Sequence, residues 1–245
     1  MRESIFKIID NAPLTQTVYK MKLQGDVSDI TSSGQFVNIK LDGLYLRRPI
    51  SVCDCEDGVL TLIYKVVGKG TEQMAKMTAG EELSILTGLG NGYDISLSGD
   101  KPLLLGGGVG VPPLYMLAKK LVAEGKKVSV VLGFNTKEEV FCEEDFKALG
   151  ADVFVTTVDG SYGIKGFVTD AMKDIDYSYF YTCGPEPMLK AIFKVSATSG
   201  QFSFEERMGC GFGACMGCSC KTVTGYKRIC KDGPVLKKEE ILWAD

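Results

Sequence analysis

The sequence contains no histidine among its 245 residues. Histidine is the base of Ser-His-Asp and Cys-His catalytic sites, and it supplies ligands to Cys2His2 zinc sites and to Rieske clusters. Those sites are therefore excluded. Any chemistry must rely on cysteine, carboxylates, lysine or a bound cofactor.

Long apolar runs and an excess of charge are also missing. No run approaches the roughly 20 residues of a transmembrane helix, and residues 1–14 lack the apolar segment of a signal peptide. The formal net charge of −3 gives no basis for binding a polyanion, so we expect no nucleic acid partner. We predict a cytoplasmic protein without membrane insertion. Its clustered cysteines would then bind metal or do redox work more often than form disulfides.

Three sequence patterns follow one another along the chain. Residues 1–98 carry short alternating strands broken by Gly and Asp, the first at residues 15–23, which predicts an antiparallel β-barrel with one short helix capped by Thr71. Residues 99–200 alternate strands with helices, the pattern of a doubly wound α/β domain with a parallel sheet. Residues 201–245 predict a small irregular domain that needs a metal centre to hold it. The predicted fold class is thus multidomain.

The cysteines are concentrated in the third segment, where five of the nine lie within residues 209–230. Three follow the spacing C-x4-C-x2-C and a fourth comes later, as in plant-type [2Fe–2S] ferredoxins. The candidate metal ligands are Cys210, Cys215, Cys218 and Cys230.

Zinc and disulfides are the alternatives for this cluster. Structural zinc sites favour two short C-x2-C pairs, and this segment has one. Cys220 is interpreted as a neighbour of the cluster that is not a ligand, although spacing alone would let it replace Cys218.

Two glycine-containing turns lie in the middle segment. Gly108, Gly110 and Pro113 form G-x-G-x-x-P between a buried strand and a helix, which predicts a pyrophosphate site at the helix N-terminus. Cys183 and Gly184 end another strand, at the edge of the sheet where ligands bind, so Cys183 is predicted to lie near a nicotinamide. The alternatives are a tight turn that binds nothing and a small buried thiol.

The type of nicotinamide nucleotide is indicated by a missing residue. No arginine lies between residues 101 and 200, so the usual bidentate partner of a 2′-phosphate is absent from the sequence there. Lys137 is followed at once by Glu138 and Glu139. The pattern favours NAD over NADP.

A third motif lies in the barrel segment, at Arg48, Pro49, Ile50 and Ser51. The arginine side chain could bind a phosphate, and the serine hydroxyl could face a flat ring. Gly70 and Thr71 follow at a helix start, which is a second natural anion site. The alternative is a surface arginine pair on a barrel strand.

Together these motifs resemble the ferredoxin–NADP reductase superfamily and, within it, the electron-transfer subunits of type B dihydroorotate dehydrogenases. The resemblance covers essentially the whole chain, including residues 87–95. It implies that Arg48 contacts the FAD pyrophosphate and that Ser51 lies beside the flavin. It implies further FAD-binding positions at Ile63, Tyr64, Lys65, Gly70 and Thr71, and the four cysteines above as [2Fe–2S] ligands.

The resemblance also implies a function. A partner subunit containing FMN would oxidise dihydroorotate, and this chain would pass the electrons through [2Fe–2S] and FAD to NAD+ within a 2:2 heterotetramer. Two alternatives stay open: the reductase subunit of another ferredoxin, sulfide or hydrogenase-type complex, and a nucleotide-sensing module with a zinc tail.

Overall fold

The computed structural model describes residues 1–243. Its N-terminal part is a closed barrel of six antiparallel strands. Their order around the barrel is β1-β2-β5-β4-β3-β6. This confirms the predicted barrel. The strands are β1 (Arg2–Pro13), β2 (Val18–Gln24), β3 (Phe36–Ile39), β4 (Arg48–Glu56), β5 (Val59–Lys65) and β6 (Glu82–Leu89), and helix α1 (Lys69–Lys76) lies between β5 and β6.

Two details of the barrel differ from the sequence analysis. Strand β1 was missed, because Ile5 and Ile9 are exposed beside the buried Phe6 and Ile8, and such a mixed run has no clear period. Thr71 is not the helix cap, since α1 begins two residues earlier and its N-cap is a glycine.

The middle part is an α/β sheet with helices on both faces. The strands are β7 (Pro102–Gly107), β8 (Ser129–Phe134), β9 (Asp152–Thr157), β10 (Ile164–Lys165), β11 (Tyr179–Cys183) and β12 (Gly200–Ser203). The helices are α2 (Tyr115–Ala123), α3 (Glu143–Ala148), α4 (Val168–Met172) and α5 (Glu186–Val195). Helices α2 and α3 pack on one face and α4 and α5 on the other, as the doubly wound class requires.

The C-terminal part adds a hairpin, a short helix and one more sheet strand. These elements are β13 (Ser219–Thr222), β14 (Gly225–Arg228), α6 (Ile229–Asp232) and β15 (Val235–Lys237). Strand β15 pairs antiparallel with β12, so the sheet order is β10-β9-β8-β7-β11-β12-β15. The other neighbours in this sheet are parallel.

The predicted boundaries at residues 98 and 200 stay predictions. Strand β12 begins at Gly200, on the second boundary, and its partner β15 lies in the third segment. The last two residues of the predicted 201–245 segment lie outside the described residues. Among residues 1–243, no helix has the length and apolar character needed to cross a bilayer.

An aromatic cluster packs the C-terminal part of the chain against the sheet. Phe202 on β12 is fully buried, and its ring centroid lies 5.5 Å from that of Trp243 and 6.1 Å from that of Phe193. Edge-on and tilted pairs of this kind add to the free energy gained from burial.

We expect Phe202→Ala to lower the free energy of unfolding by about 3–5 kcal/mol, because it leaves a cavity where three elements meet. Phe167→Ala is the control, since that side chain is 63% exposed and its loss should change the free energy by about 0.5 kcal/mol or less. Urea unfolding followed by circular dichroism measures both. Equal effects would contradict this account of the core.

Candidate functional site

The four candidate cysteine ligands come together as two pairs. The thiols of Cys210 and Cys215 lie close enough for Cys215 to change the pKa of Cys210, and Cys218 likewise changes the pKa of Cys230. The backbone also points at the sulfurs: Ala214 N–H donates to Cys210 Sγ at 3.2 Å and Cys230 N–H donates to Cys218 Sγ at 3.4 Å. The second pair is buried, and Cys215 is exposed.

The two pairs differ in electrostatics. Burial opposes ionisation of Cys210, but N–H groups of Phe212, Cys215 and Ala214 outweigh it and lower the pKa of this thiol to about 6. Burial, together with the neighbouring Cys218, raises the pKa of Cys230 to about 12. N–H groups aimed at sulfur are also what a sulfur-ligated anionic centre requires.

This arrangement fits a cluster with two irons better than it fits one zinc ion. Zinc takes its four ligands around a single point, whereas these thiols interact as two pairs. Two pairs of thiols supply two ligands to each of two irons. Cys220 lies on β13 opposite Lys227, and burial raises its pKa.

One glycine in the loop is required by the backbone. Gly213 has φ +91°, and an added Cβ would lie 2.6 Å from the side chain of Lys231. Its carbonyl accepts a 2.7 Å hydrogen bond from Arg228 Nη1. The loop therefore closes tightly onto β14 and α6, where a larger residue would not fit.

The barrel motif meets the start of α1. Arg48 packs directly over Gly70, where an added Cβ would come within 2.2 Å of Nε. Thr71 Oγ1 accepts hydrogen bonds from the N–H groups of Val67, at 2.9 Å, and Gly68, at 3.3 Å. A guanidinium beside a helix N-terminus forms a site for a phosphate-like anion.

Pro49 and Ser51 lie on the barrel face that the cysteine loop covers. In the register of β3 and β4, Ser51 is opposite Phe36, whereas Ile50 is opposite the fully buried Val37 of the barrel interior. Phe36 packs in one hydrophobic cluster with Cys218 and Cys230. The barrel motif and the cysteine loop are therefore neighbours in space.

The side chains of Ile63 and Tyr64 are already used in packing. Ile63 belongs to the core shared with the sheet domain, and Tyr64 to the barrel core. Tyr64 Oη donates to Asn11 Oδ1 at 3.0 Å, and burial raises its pKa to about 12. Both side chains are buried, whereas Lys65 is partly exposed.

The two predicted nucleotide turns follow the neighbouring strands β7 and β11 and lie against each other at the carboxyl end of the sheet. An added Cβ on Gly110 would lie 2.2 Å from Cys183 O and 2.6 Å from Gly184 Cα, so no other residue allows this approach. Gly108 has φ +52°, and Pro113 lies in a 3-10 turn just before α2. The start of α2 therefore lies at the carboxyl end of the parallel strands together with the four turn residues Gly108, Gly110, Cys183 and Gly184.

Cys183 carries a neutral thiol. Burial raises its pKa to about 12, against a smaller opposing effect of a hydrogen bond with Ser203. Ser203 is its direct neighbour in the register of β11 and β12. A thiol of this kind acts as a small uncharged contact, so no nucleophilic role is assigned to it.

Two residues that join the parts were not predicted from the sequence. Asn91 N–H donates to Gly233 O at 2.7 Å, and its side chain exchanges two 3.1 Å hydrogen bonds with the backbone of Val235. Tyr93 Oη donates to Thr182 O at 3.2 Å. The only signal in the sequence was their position within the 87–95 segment, because their partners lie far along the chain.

Comparisons with known proteins agree with this architecture. Residues 205–242 match the iron-sulfur cluster binding domain of dihydroorotate dehydrogenase B, and residues 104–194 match the oxidoreductase NAD-binding domain. A solved structure of an NADH-dependent reduced ferredoxin-NADP oxidoreductase superposes with TM-score 0.88 at 31% identity, over 97% of this chain and 90% of that one. A ferredoxin NADP+ reductase from Neisseria gonorrhoeae with bound FAD and NADP, 18% identical, shares the fold with TM-score 0.69 over 79% of this chain and 90% of that one.

The curated relatives match along nearly their whole length. The "Dihydroorotate dehydrogenase B (NAD(+)), electron transfer subunit" of Fusobacterium nucleatum is 44% identical over 95% of both chains. The protein of the same name from Bacillus pumilus is 44% identical over 98% of both chains. This chain belongs to the family of electron transfer subunits of NAD(+)-dependent dihydroorotate dehydrogenase B.

Proposed function

We propose that this chain carries electrons from a catalytic subunit containing FMN, which oxidises dihydroorotate, to NAD+. Its carriers are a [2Fe–2S] cluster and FAD. The observation that supports this best is the contact of the cysteine loop with Asn38, the register neighbour of Pro49 in the barrel motif, which makes the two cofactor sites neighbours. When bound, a flavin exchanges single electrons or a hydride, and so connects an iron–sulfur centre with a nicotinamide.

Each part of the chain has one task in this proposal. Residues 1–98 hold FAD, with Arg48 and the N-terminus of α1 on the pyrophosphate and Ser51 beside the ring system. Residues 99–200 hold NAD at the edge formed by Gly110 and Cys183. Residues 201–245 hold the cluster through the two cysteine pairs.

The proposed hydride transfer requires correctly oriented cofactor rings, and it requires no acidic or basic side chain. Hydride transfer between a flavin and a nicotinamide depends on how the two rings are placed. The Cys183 thiol is neutral, so it can lie against a nicotinamide without a charge that would attract water. The absence of histidine is therefore no obstacle to this function.

The partner subunit is expected at the cysteine loop. Apolar side chains are exposed on and beside this loop: Phe212 at 44%, Met216 at 54% and Tyr226 at 72%. Exposed apolar patches mark interaction sites, and a cluster at a subunit contact shortens the path of the electron. The proposed assembly is a 2:2 heterotetramer in the cytoplasm.

A second candidate is a reductase subunit of a ferredoxin-linked complex. It is favoured by the 0.88 TM-score to the NADH-dependent reduced ferredoxin-NADP oxidoreductase structure. The 44% identity to dihydroorotate dehydrogenase B subunits favours the first candidate. The cofactors of the natively co-purified partner distinguish the two, since only the first requires an FMN subunit active on dihydroorotate.

We expect Cys215→Ser to abolish the cluster, because it removes one ligand of an iron, whereas the control Cys220→Ser should keep it. Iron and acid-labile sulphide content, together with the visible spectrum of anaerobically purified protein, measure the difference. Full iron content in Cys215→Ser, or its loss in Cys220→Ser, would refute this ligand assignment.

We expect Arg48→Ala to weaken FAD binding on the order of 10- to 100-fold, the range for losing hydrogen bonds to a charged group. The neighbouring Arg47 is the control. Its Nη2 pairs with Glu3 at 2.5 Å and its Nη1 donates to Asn38 O at 3.3 Å, so Arg47→Ala should leave FAD affinity within a few-fold. Titration of flavin-free protein with FAD, followed by fluorescence quenching, measures both. The reverse order of effects would reject the assignment of Arg48.

The isolated chain is expected to reduce artificial electron acceptors with NADH, yet not to oxidise dihydroorotate. Within residues 1–243 we identify no site for dihydroorotate, and the partner subunit should restore the reaction. The measurement is NADH formation from dihydroorotate and NAD+, with and without the partner. NADH formation by the chain alone would contradict the proposal that the partner subunit oxidises dihydroorotate.

A further inference from the structure

Asn38 lies on β3, on the barrel face that the cysteine loop covers. It is only 1% exposed, and its direct neighbours in the register are Pro49 of β4 and Leu86 of β6. It thus stands beside the proposed flavin motif and beneath the loop that carries the cluster ligands.

The two polar atoms of this side chain have different surroundings. Asn38 Nδ2 donates to the carbonyl oxygen of Cys210 at 3.3 Å. Within the described residues, Asn38 Oδ1 is buried and has no hydrogen-bond partner. The amide orientation is fixed by its neighbour, since the flipped amide would place two oxygens against each other.

The loop is shaped to permit this contact. Gly211, the next residue after Cys210, has φ +78°, and an added Cβ would lie 2.3 Å from Asn38 Nδ2. A glycine is therefore needed for the loop to come down onto the amide. The contact joins residues far apart in the sequence, and it involves the backbone of the first cluster ligand.

We propose that Asn38 is a positioning residue that holds Cys210 against the strand pair carrying the flavin motif, and so sets the separation between cluster and flavin. The inference rests on the proposed function. It assigns a role to a residue that is not a candidate ligand of the cluster and that acts through the Cys210 carbonyl.

The unpaired oxygen separates this role from ordinary packing. A buried polar atom without a partner costs stability, and a leucine of similar shape would avoid that cost beside Pro49 and Leu86, the two apolar register neighbours. Stability of the barrel therefore does not explain an asparagine here. The hydrogen bond to Cys210 does.

The test is Asn38→Leu in the complete complex with its partner. We expect the melting temperature to stay the same or rise. The electron paramagnetic resonance spectrum of the reduced cluster should change, and chelator should remove iron about five- to tenfold faster, since loop opening no longer breaks a hydrogen bond.

Thr156→Val is the matched control. Thr156 Oγ1 is the other buried side-chain atom without a partner in the described residues, and it lies on β9 of the sheet. Its removal should affect stability in the same direction and leave the cluster spectrum and iron release unchanged. A changed spectrum in Thr156→Val would mean that the readout reports stability, and would overturn the inference.

A second variant covers the case in which Asn38→Leu does not fold. Asn38→Asp keeps the shape and places a carboxylate oxygen against the Cys210 carbonyl, so it should alter the spectrum and speed iron release at neutral pH. If both variants keep the native spectrum and release rate, Asn38 has no positioning role. If the wild-type complex contains neither cluster nor flavin, the proposed function itself fails.

Discussion

The pairing of β15 with β12 is the constraint on which the cofactor arrangement depends. Three residues of β15 continue the sheet beyond β12, and the chain reaches them from the cysteine loop through α6. Asn91 binds the same stretch from the barrel side. Cys230, the last of the proposed cluster ligands, is therefore held between the sheet and the barrel, and the loop cannot move away from the barrel without breaking hydrogen bonds to both.

The electrostatics of the thiols follow from this packing. Cys210 faces backbone N–H groups at the exposed side of the loop, which lower its pKa to about 6, whereas Cys230 is enclosed against the core, which raises its pKa to about 12. Ligand thiols in both settings must lose their protons to bind metal.

Much of the fold could be predicted because local patterns carry it. The barrel, the alternating strands and helices, and the cysteine spacing all follow from periods and short motifs. Strand β1 was missed because exposed isoleucines hide its alternation, and the position of Thr71 was misjudged because a glycine can also cap a helix. Strands β12 and β15 are too short to show a recognisable alternation of apolar and polar residues. Their pairing depends on tertiary contacts between distant parts of the chain.

The sequence by itself determined the class of chemistry. The absence of histidine, the C-x4-C-x2-C spacing and the glycine turns limit the chain to metal-bound sulfur and nucleotide cofactors, since these signals are local and chemical. Only the tertiary structure decided which residues meet. Arg48 over Gly70, Gly110 against Cys183 and Asn38 beneath Cys210 are contacts between distant segments. Such contacts arise from the packing of whole elements, so no short stretch of sequence records them.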